Sequence, residues 1–158
     1  MQATAVAQPN IALIKYWGKR DVARNLPAVG SISITLRDLF TRMRVRFDDE
    51  LENDVLTVNG SPDDKMLPRL SACLDRVVGQ DRVQARIEST CNFPIAAGLA
   101  SSASSFAALT VAAAAATGGP ADTLGLARLA GRASGSVSSP GNISRSASTT
   151  IGRPELKS

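Results

Sequence analysis

The stretch NFPIAAGLASSASSFAALTVAAAAA, residues 92–116, decides the kind of fold that this sequence specifies. From about residue 101 to about residue 117 it is rich in alanine, the best helix former, which predicts a long helix. The preceding segment VQARIEST, residues 83–90, alternates polar and apolar side chains with the period of a strand. The small side chains of Ala112–Ala116 favour close packing on a neighbouring element. We therefore predict a helix packed against a β-sheet.

The turn between this strand and this helix contains Pro94, Gly98, Ser101 and Ser102. Unpaired backbone N–H groups and the positive end of a helix dipole bind anions, and serine hydroxyls add further donors. Gly98 would let the backbone approach a phosphate closely. The alternative is that Ser101 or Ser102 only caps the helix. The stretch is neither a Walker A loop nor a GxGxxG fingerprint, because no lysine follows a second glycine and the glycine spacing differs.

Further strands are predicted from alternation at SISITL, residues 31–36, and TRMRVRF, residues 41–47. In the second of these, one face is apolar and the other is basic, formed by Met43, Val45 and Phe47 against Arg42, Arg44 and Arg46. A strand at DVLTVNG is predicted to close on a turn at Asn59–Gly60.

Residues 61–64, Ser-Pro-Asp-Asp, resemble a helix start, and Pro68 is predicted to restart that helix, which continues to Gly79. A shorter helix is predicted from about residue 121 to about residue 132. Several strands, a helix, a strand and two helices indicate an α+β fold rather than a regular parallel βα repeat.

Composition narrows the possible chemistry. The chain has 158 residues, is 44% hydrophobic and carries a net charge of +4, which suits one globular domain. It contains no histidine and two cysteines, which excludes Ser-His-Asp catalysis and Cys/His zinc sites. The first ten residues do not resemble a signal peptide, and the longest apolar stretch, residues 106–116, is too short to span a bilayer. We expect a cytoplasmic protein with reduced thiols.

Residues 11–17 are apolar and then aromatic, which predicts a strand that leads into a loop at Gly18 and the charged residues 19–21. The segment NIALIKYWGKRD, residues 10–21, therefore concentrates cations and amphipathic rings at the end of a predicted strand. Lys15 and Lys19 flank Tyr16 and Trp17, the only tyrosine and the only tryptophan of the chain. Such a group could clamp a phosphorylated substrate behind an aromatic wall. The alternative is an ordinary strand with an aromatic anchor and solvated lysines.

Three separated segments resemble one known family. Residues 94–103, Pro-x-x-x-Gly-Leu-Ala-Ser-Ser-Ala, resemble the phosphate-binding motif of the GHMP small-molecule kinases, in the form, with Ala100, that is typical of the diphosphomevalonate decarboxylases. Residues 10–21 with NLPAVGSISITL, residues 25–36, resemble that family's signature, and LPRLSACL, residues 67–74, its diphosphate-contacting segment. The resemblance covers roughly residues 4–136.

The resemblance implies a GHMP-type N-terminal domain with a left-handed βαβ unit. It also implies a reaction that uses ATP and Mg²⁺. The tertiary hydroxyl of mevalonate 5-diphosphate is phosphorylated, phosphate leaves, and loss of carbon dioxide gives isopentenyl diphosphate. Phosphorylation makes a poor leaving group good, and decarboxylation quenches the cation-like centre that remains.

Site residues follow from the resemblance position by position. The substrate site would comprise Asn10, Tyr16, Trp17, Gly18, Lys19, Arg69, Ser134, Gly135 and Ser136. The ATP phosphate loop would comprise Gly98, Leu99, Ala100, Ser101 and Ser102, with Ser102 the strongest candidate. For Arg69 the alternative is a solvated residue in the first turn of a helix. Lys15 has no assigned role, and no catalytic residue is identified.

The resemblance to the diphosphomevalonate decarboxylases ends after Ser136. Residues 137–158 are rich in Ser, Thr, Gly and Pro, and they bury too little apolar surface to offset the cost of ordering. We therefore predict a domain over residues 1–136 and a disordered tail over residues 137–158, produced by a frame shift or truncation near codon 136. The arginine of the family's serine-rich turn and the aspartate of its second half have no counterpart in this chain. At most weak activity, an exposed apolar face and poor solubility are expected.

Other functions stay open. A related mevalonate or phosphomevalonate kinase or decarboxylase is the nearest alternative, and the Arg69 segment favours a diphosphate. A non-enzymatic fragment is another, with the basic tail bound to nucleic acid or protein, although the tail offers only Arg145, Arg153 and Lys157 as cations. We expect a small phosphorylated ligand, no nucleic-acid or membrane partner, and a possible homodimer by analogy with the full-length family.

Overall fold

The computed structural model describes residues 1–14, 19–22, 26–27, 32–94, 101–119, 122–133 and 148–150. Within them the elements are β1 Gln2–Ala7, β2 Asn10–Ile14, β3 Lys19–Asp21, β4 Leu26–Pro27, β5 Ile32–Thr35, β6 Thr41–Phe47, β7 Val55–Val58, β8 Ser61–Pro62, α1 Leu67–Val78, β9 Ala85–Cys91, α2 Ser101–Ala116, α3 Thr123–Ala133 and β10 Ser148–Thr150.

The main sheet has the strand order β10-β1-β6-β9-β7-β8. Its pairs are antiparallel except β7 with β9, which run parallel and are connected through α1. A parallel pair needs such a crossover, and the three elements form a βαβ unit. Two smaller two-stranded sheets pair β2 with β5 and β3 with β4. The fold class is α+β, as the sequence predicts.

Strand β6 shows how alternation builds the core. Met43, Val45 and Phe47 are at most 5% exposed, whereas the arginines between them are exposed. The three helices pack over the apolar face and leave the basic face toward solvent. The predicted two-faced strand is therefore confirmed.

Helix α2 lies at the centre of the packing and contacts β1, β6, α1 and α3. It is buried nearly all round, including Phe106 and Leu109, which are fully buried. The alanine side chains let neighbouring elements approach closely, and Ala112 and Ala113 are 0% exposed. This confirms the prediction that the alanine run packs against a sheet.

One predicted helix start is wrong. Ser61–Pro62 forms β8, which pairs with β7 through the Asn59–Gly60 turn, and α1 begins only at Leu67. Asn59 and Gly60 have φ values of 49° and 84°, so the chain reverses there in the left-handed region that suits hairpin turns. The hydrogen bonds of this hairpin outweigh the local helix-start pattern.

Strand β3 occupies Lys19–Asp21, where a loop was expected, and strands β1, β4 and β10 were also not anticipated. Strand β1 lies inside the main sheet, where Ala3, Ala5 and Ala7 are buried, but small alanines give a weak alternation signal. Strand β10 pairs Ser148–Thr150 with β1, which differs from the disorder expected for these three residues. The rest of residues 137–158 lies outside the described residues.

Candidate functional site

The first turn of α2 supplies two of the predicted ATP-contacting residues, Ser101 and Ser102, both half-buried. This turn contains no acidic side chain, so no carboxylate opposes an anion at the positive end of the helix. The geometry agrees with the predicted phosphate site. It agrees equally with a serine that only caps the helix.

Buried hydroxyls attach this turn to the sheet. The Ser104 hydroxyl lies 2.8 Å from the Thr41 hydroxyl of β6 and donates to the Ser101 carbonyl oxygen at 3.0 Å. Both side chains are almost completely buried. Because a buried hydroxyl without a partner is costly, this pair holds the start of α2 in register with β6.

Arg69 lies on α1 and reaches α2. Its guanidinium carbon is 5.2 Å from the centroid of the Phe106 ring, and one guanidinium nitrogen is 3.9 Å from the Met66 sulfur. Phe106 follows Ser102 by four residues, so the two share one face of α2. The structure thus brings Arg69 to α2 about one helical turn after the predicted phosphate-binding serines.

The Arg69 charge is not neutralised within the part of the chain that the structure describes, since no ion pair forms there. The side chain is exposed and carries its cation about one helical turn from an acid-free helix start. An exposed, unpaired guanidinium is suited to bidentate contact with a phosphate.

Asn10, the first residue of β2, is buried at 6% exposure and its backbone pairs with Thr35. Among the described residues, no hydrogen bond satisfies its side-chain amide. A buried amide of this kind is unusual in a folded protein and is a candidate for a ligand contact. The structure does not bring it into hydrogen-bonding contact with Arg69.

For the remaining predicted site residues, the structure describes no side chain. Lys19 lies on β3, opposite Pro27, but only its backbone is described. The others lie outside the described residues: Tyr16, Trp17, Gly18, Gly98, Leu99, Ala100, Ser134, Gly135 and Ser136.

Arg82, Asp54 and Asp75 form a charged cluster that stabilises the fold. The Arg82 guanidinium contacts both carboxylate oxygens of Asp54, at 2.8 and 2.6 Å, and Asp75 at 2.9 Å. Burial is the largest influence on the pKa of Asp54 and acts to raise it. The hydrogen bonds from Arg82, Ser71 and the Ala85 backbone outweigh burial and leave the pKa of Asp54 below its ordinary value. Both Asp54 carboxylate oxygens and all three guanidinium nitrogens of Arg82 form hydrogen bonds within the chain, so this cluster offers no free cation to an anionic ligand.

A polar depression of about 350 Å³ lies on the outer face of the main sheet, lined by residues that include Arg42, Arg44 and Glu88. It is on the face opposite α2 and is therefore separate from the candidate site. In the described ranges, no group of three or more His, Cys, Asp and Glu side chains could hold a metal ion. The described helices include none that is long and apolar enough to cross a bilayer.

Phe106, Thr41 and Ser104 support the candidate site but were not recognised from the sequence. Their roles depend on contacts between different elements, and no local pattern marks such contacts. The Ser-Ser helix start and the position of Arg69 in LPRLSACL were visible because both are local motifs.

Comparison with known proteins supports the resemblance. Residues 7–146 match the diphosphomevalonate decarboxylase-like N-terminal domain family. The chain is 41% identical over 151 residues to a diphosphomevalonate decarboxylase of Eremothecium gossypii, covering 85% of this chain and 38% of that protein. It is also 41% identical over 152 residues to the Saccharomyces cerevisiae protein of the same name, covering 85% of this chain and 38% of that protein.

Solved structures agree. Mevalonate diphosphate decarboxylase from Enterococcus faecalis matches with a TM-score of 0.78 at 40% identity, over 86% of this chain and 43% of that one. The Staphylococcus aureus enzyme matches with a TM-score of 0.79 at 36% identity, over 98% of this chain and 50% of that one. The chain thus spans about two fifths of the length of the curated relatives that it matches. It belongs to the diphosphomevalonate decarboxylase-like N-terminal domain family.

Proposed function

We propose that this chain provides the ATP-binding and substrate-binding part of a mevalonate 5-diphosphate decarboxylase that works in the cytoplasm. The observation that carries the proposal is the contact of Arg69 with Phe106, one helical turn after the serines that begin α2. A related structure, similar at 40% identity with a TM-score of 0.78, is a complex with MVAPP, AMPPCP and magnesium. That relative therefore binds an ATP analogue and a diphosphate.

The described residues fit these two ligands. Ser101 and Ser102, at an acid-free helix start, would bind the phosphates of ATP. Arg69 would bind the diphosphate of the substrate, and the Asn10 amide, which no other described residue satisfies, would contact a polar group of the same molecule. ATP supplies the phosphoryl group that turns the tertiary hydroxyl into a leaving group.

The overall reaction balances without an oxidant or a reductant. ATP and mevalonate 5-diphosphate give ADP, phosphate, carbon dioxide and isopentenyl diphosphate. The electron pair of the broken carbon–carboxylate bond forms the new double bond as phosphate departs. This chain's share of the reaction is to bind and orient the two ligands, and we expect little turnover from these 158 residues alone.

Isothermal titration calorimetry with AMPPCP and Mg²⁺, and separately with mevalonate 5-diphosphate, tests the proposal. We expect Arg69→Ala to weaken binding of the diphosphate about tenfold, since charge-assisted hydrogen bonds are lost. Ser102→Ala should weaken binding of AMPPCP. Arg76→Ala removes an exposed arginine about two turns further along α1 and should change neither affinity.

Absence of binding by the wild-type chain would refute the proposal. Titration with mevalonate 5-phosphate separates the nearest alternative. Equal affinity for the monophosphate and the diphosphate would favour a related kinase or decarboxylase instead.

A further inference from the structure

We propose that Phe106 is a positioning residue, whose ring holds the Arg69 guanidinium toward the first turn of α2 while leaving its charge available to a diphosphate. The inference rests on the proposed role of Arg69 in binding substrate. It assigns a function to a fully buried core residue.

An arginine side chain has several rotatable bonds and loses considerable entropy when it is fixed. Arg82 shows one way to fix it, because two carboxylates bind its guanidinium and neutralise it. Arg44 and Arg46 likewise have acidic partners, Glu88 and Asp48. These arginines are held in place, but their charges are compensated.

Arg69 is held differently. The face of the Phe106 ring attracts the cation through its quadrupole, and the Met66 sulfur lies beside one guanidinium nitrogen. Neither partner carries a formal charge, so within the described ranges the side chain is oriented without an ion pair. The N–H groups at the edge of the guanidinium keep their capacity to donate to phosphate oxygens.

The location of Phe106 connects this arrangement to the site. It lies one helical turn after Ser102 on a helix that buried hydroxyls tie to β6. The ring is therefore a fixed surface, and the distance between the guanidinium and the helix start is set by the packing of α1 on α2. Substrate binding then does not have to order the arginine.

The test is calorimetric titration of the full chain with inorganic pyrophosphate. Phe106→Leu keeps an apolar side chain and removes the ring, and it should weaken binding about three- to tenfold. In Arg69→Ala, adding Phe106→Leu should cause no further loss, because the ring acts only through the arginine.

Two matched controls separate positioning from general loss of structure. Phe47→Leu removes another buried ring from the core, at the end of β6 distant from Thr41, and should leave pyrophosphate affinity unchanged. Phe40→Leu removes the ring beneath Arg42, a contact of the same kind at 5.5 Å whose arginine lies on the sheet face opposite α2, and it should also have no effect.

The outcomes distinguish the two proposals. If Arg69→Ala leaves pyrophosphate affinity unchanged, the proposed substrate site is wrong. If Arg69→Ala weakens binding but Phe106→Leu does not, or if the two losses simply add, only the positioning role is wrong. Should Phe106→Leu not fold, proton NMR of the wild-type chain decides. The Arg69 side-chain methylene signals should be shifted upfield by the ring relative to those of Arg76, and equal shifts would overturn the inference.

Discussion

The hydroxyls of Thr41 and Ser104 illustrate how single buried atoms position a binding element. Thr41 is 0% exposed and Ser104 is 1% exposed, and their oxygens lie 2.8 Å apart. Thr41 also lies 3.4 Å from the Cys91 sulfur, so β6, β9 and α2 meet at this point. Such a pair contributes to stability and also fixes the first turn of α2.

Thr41→Val should lower the free energy of unfolding by about 1–3 kcal/mol, because it leaves the Ser104 hydroxyl with one partner fewer in a buried position. Ser104→Ala should have an effect of similar size. The double variant Thr41→Val/Ser104→Ala should lose less than the sum of the two, since no buried hydroxyl is then left unpaired at this contact. Urea unfolding measures all three. As a control, Thr90→Val replaces an exposed threonine on β9 and should change the free energy of unfolding by less than about 0.5 kcal/mol. Additive losses from the Thr41 and Ser104 substitutions would contradict the prediction.

At the scale of elements, the sequence predicts those strands and helices whose side chains are large and regularly spaced. The alternation of β6 and the apolar spacing of α1 are strong, so β6 forms where it is predicted and α1 forms over the predicted apolar residues, from Leu67 to Val78. In strand β1 the buried positions are alanines, whose burial contributes little, so the place of this strand inside the sheet is not apparent from the local sequence. The helix start expected at Ser61 is replaced by a hairpin because pairing with β7 supplies hydrogen bonds that a local pattern cannot reveal.

In the candidate site too, the sequence predicts the residues of a local motif but not the contacts between elements. Residues within one motif, such as Ser101 and Ser102, could be identified because their spacing is local. The contact of Arg69 with Phe106 joins residues that are 37 positions apart on two helices. Only the packing of α1 on α2 brings them together, and no single stretch of sequence encodes that distance.

The ion network of Arg82 also joins elements, and it predicts a pH dependence. Asp54 precedes β7, Asp75 lies on α1 and Arg82 precedes β9. The ion network therefore links the three elements of the βαβ unit. The pKa of Asp54 is lower in the folded chain than its ordinary value. Its stabilising contribution is therefore present above the unfolded-state pKa, about 3.9, and is lost as the pH falls through the lower folded-state pKa.

We expect the free energy of unfolding of the wild-type chain to fall as the pH is lowered below about 4. Asp54→Asn should be less stable than wild type at pH 7, and the difference should shrink over that acidic range. Urea unfolding at a series of pH values measures both. Arg82→Met should cost about 3–5 kcal/mol at pH 7, because it leaves the buried carboxylate of Asp54 without its cation. A constant difference between wild type and Asp54→Asn across the pH series would show that Asp54 does not carry this dependence.

At the scale of the whole molecule, the distribution of apolar surface is uneven. The main sheet and the helices enclose one core, whereas the small β2–β5 sheet exposes large aliphatic side chains. Ile11 and Ile34 are direct cross-strand partners, and Leu13 and Ile32 are exposed along the same two strands. The exposed fractions are 41% for Ile11, 61% for Leu13, 59% for Ile32 and 53% for Ile34.

Contiguous apolar side chains of this size favour association in water. We expect the isolated chain to associate as its concentration rises, in agreement with the poor solubility anticipated from sequence. The double variant Ile32→Thr/Ile34→Thr keeps β-branched side chains, which suit a strand, and should raise solubility and shift the chain toward the monomer. Sedimentation velocity over a concentration series measures the shift. Val83→Thr, which changes an apolar residue of 43% exposure away from β2 and β5, should leave association unchanged. Equal behaviour of the double variant and the wild type would mean that the β2–β5 face does not drive association.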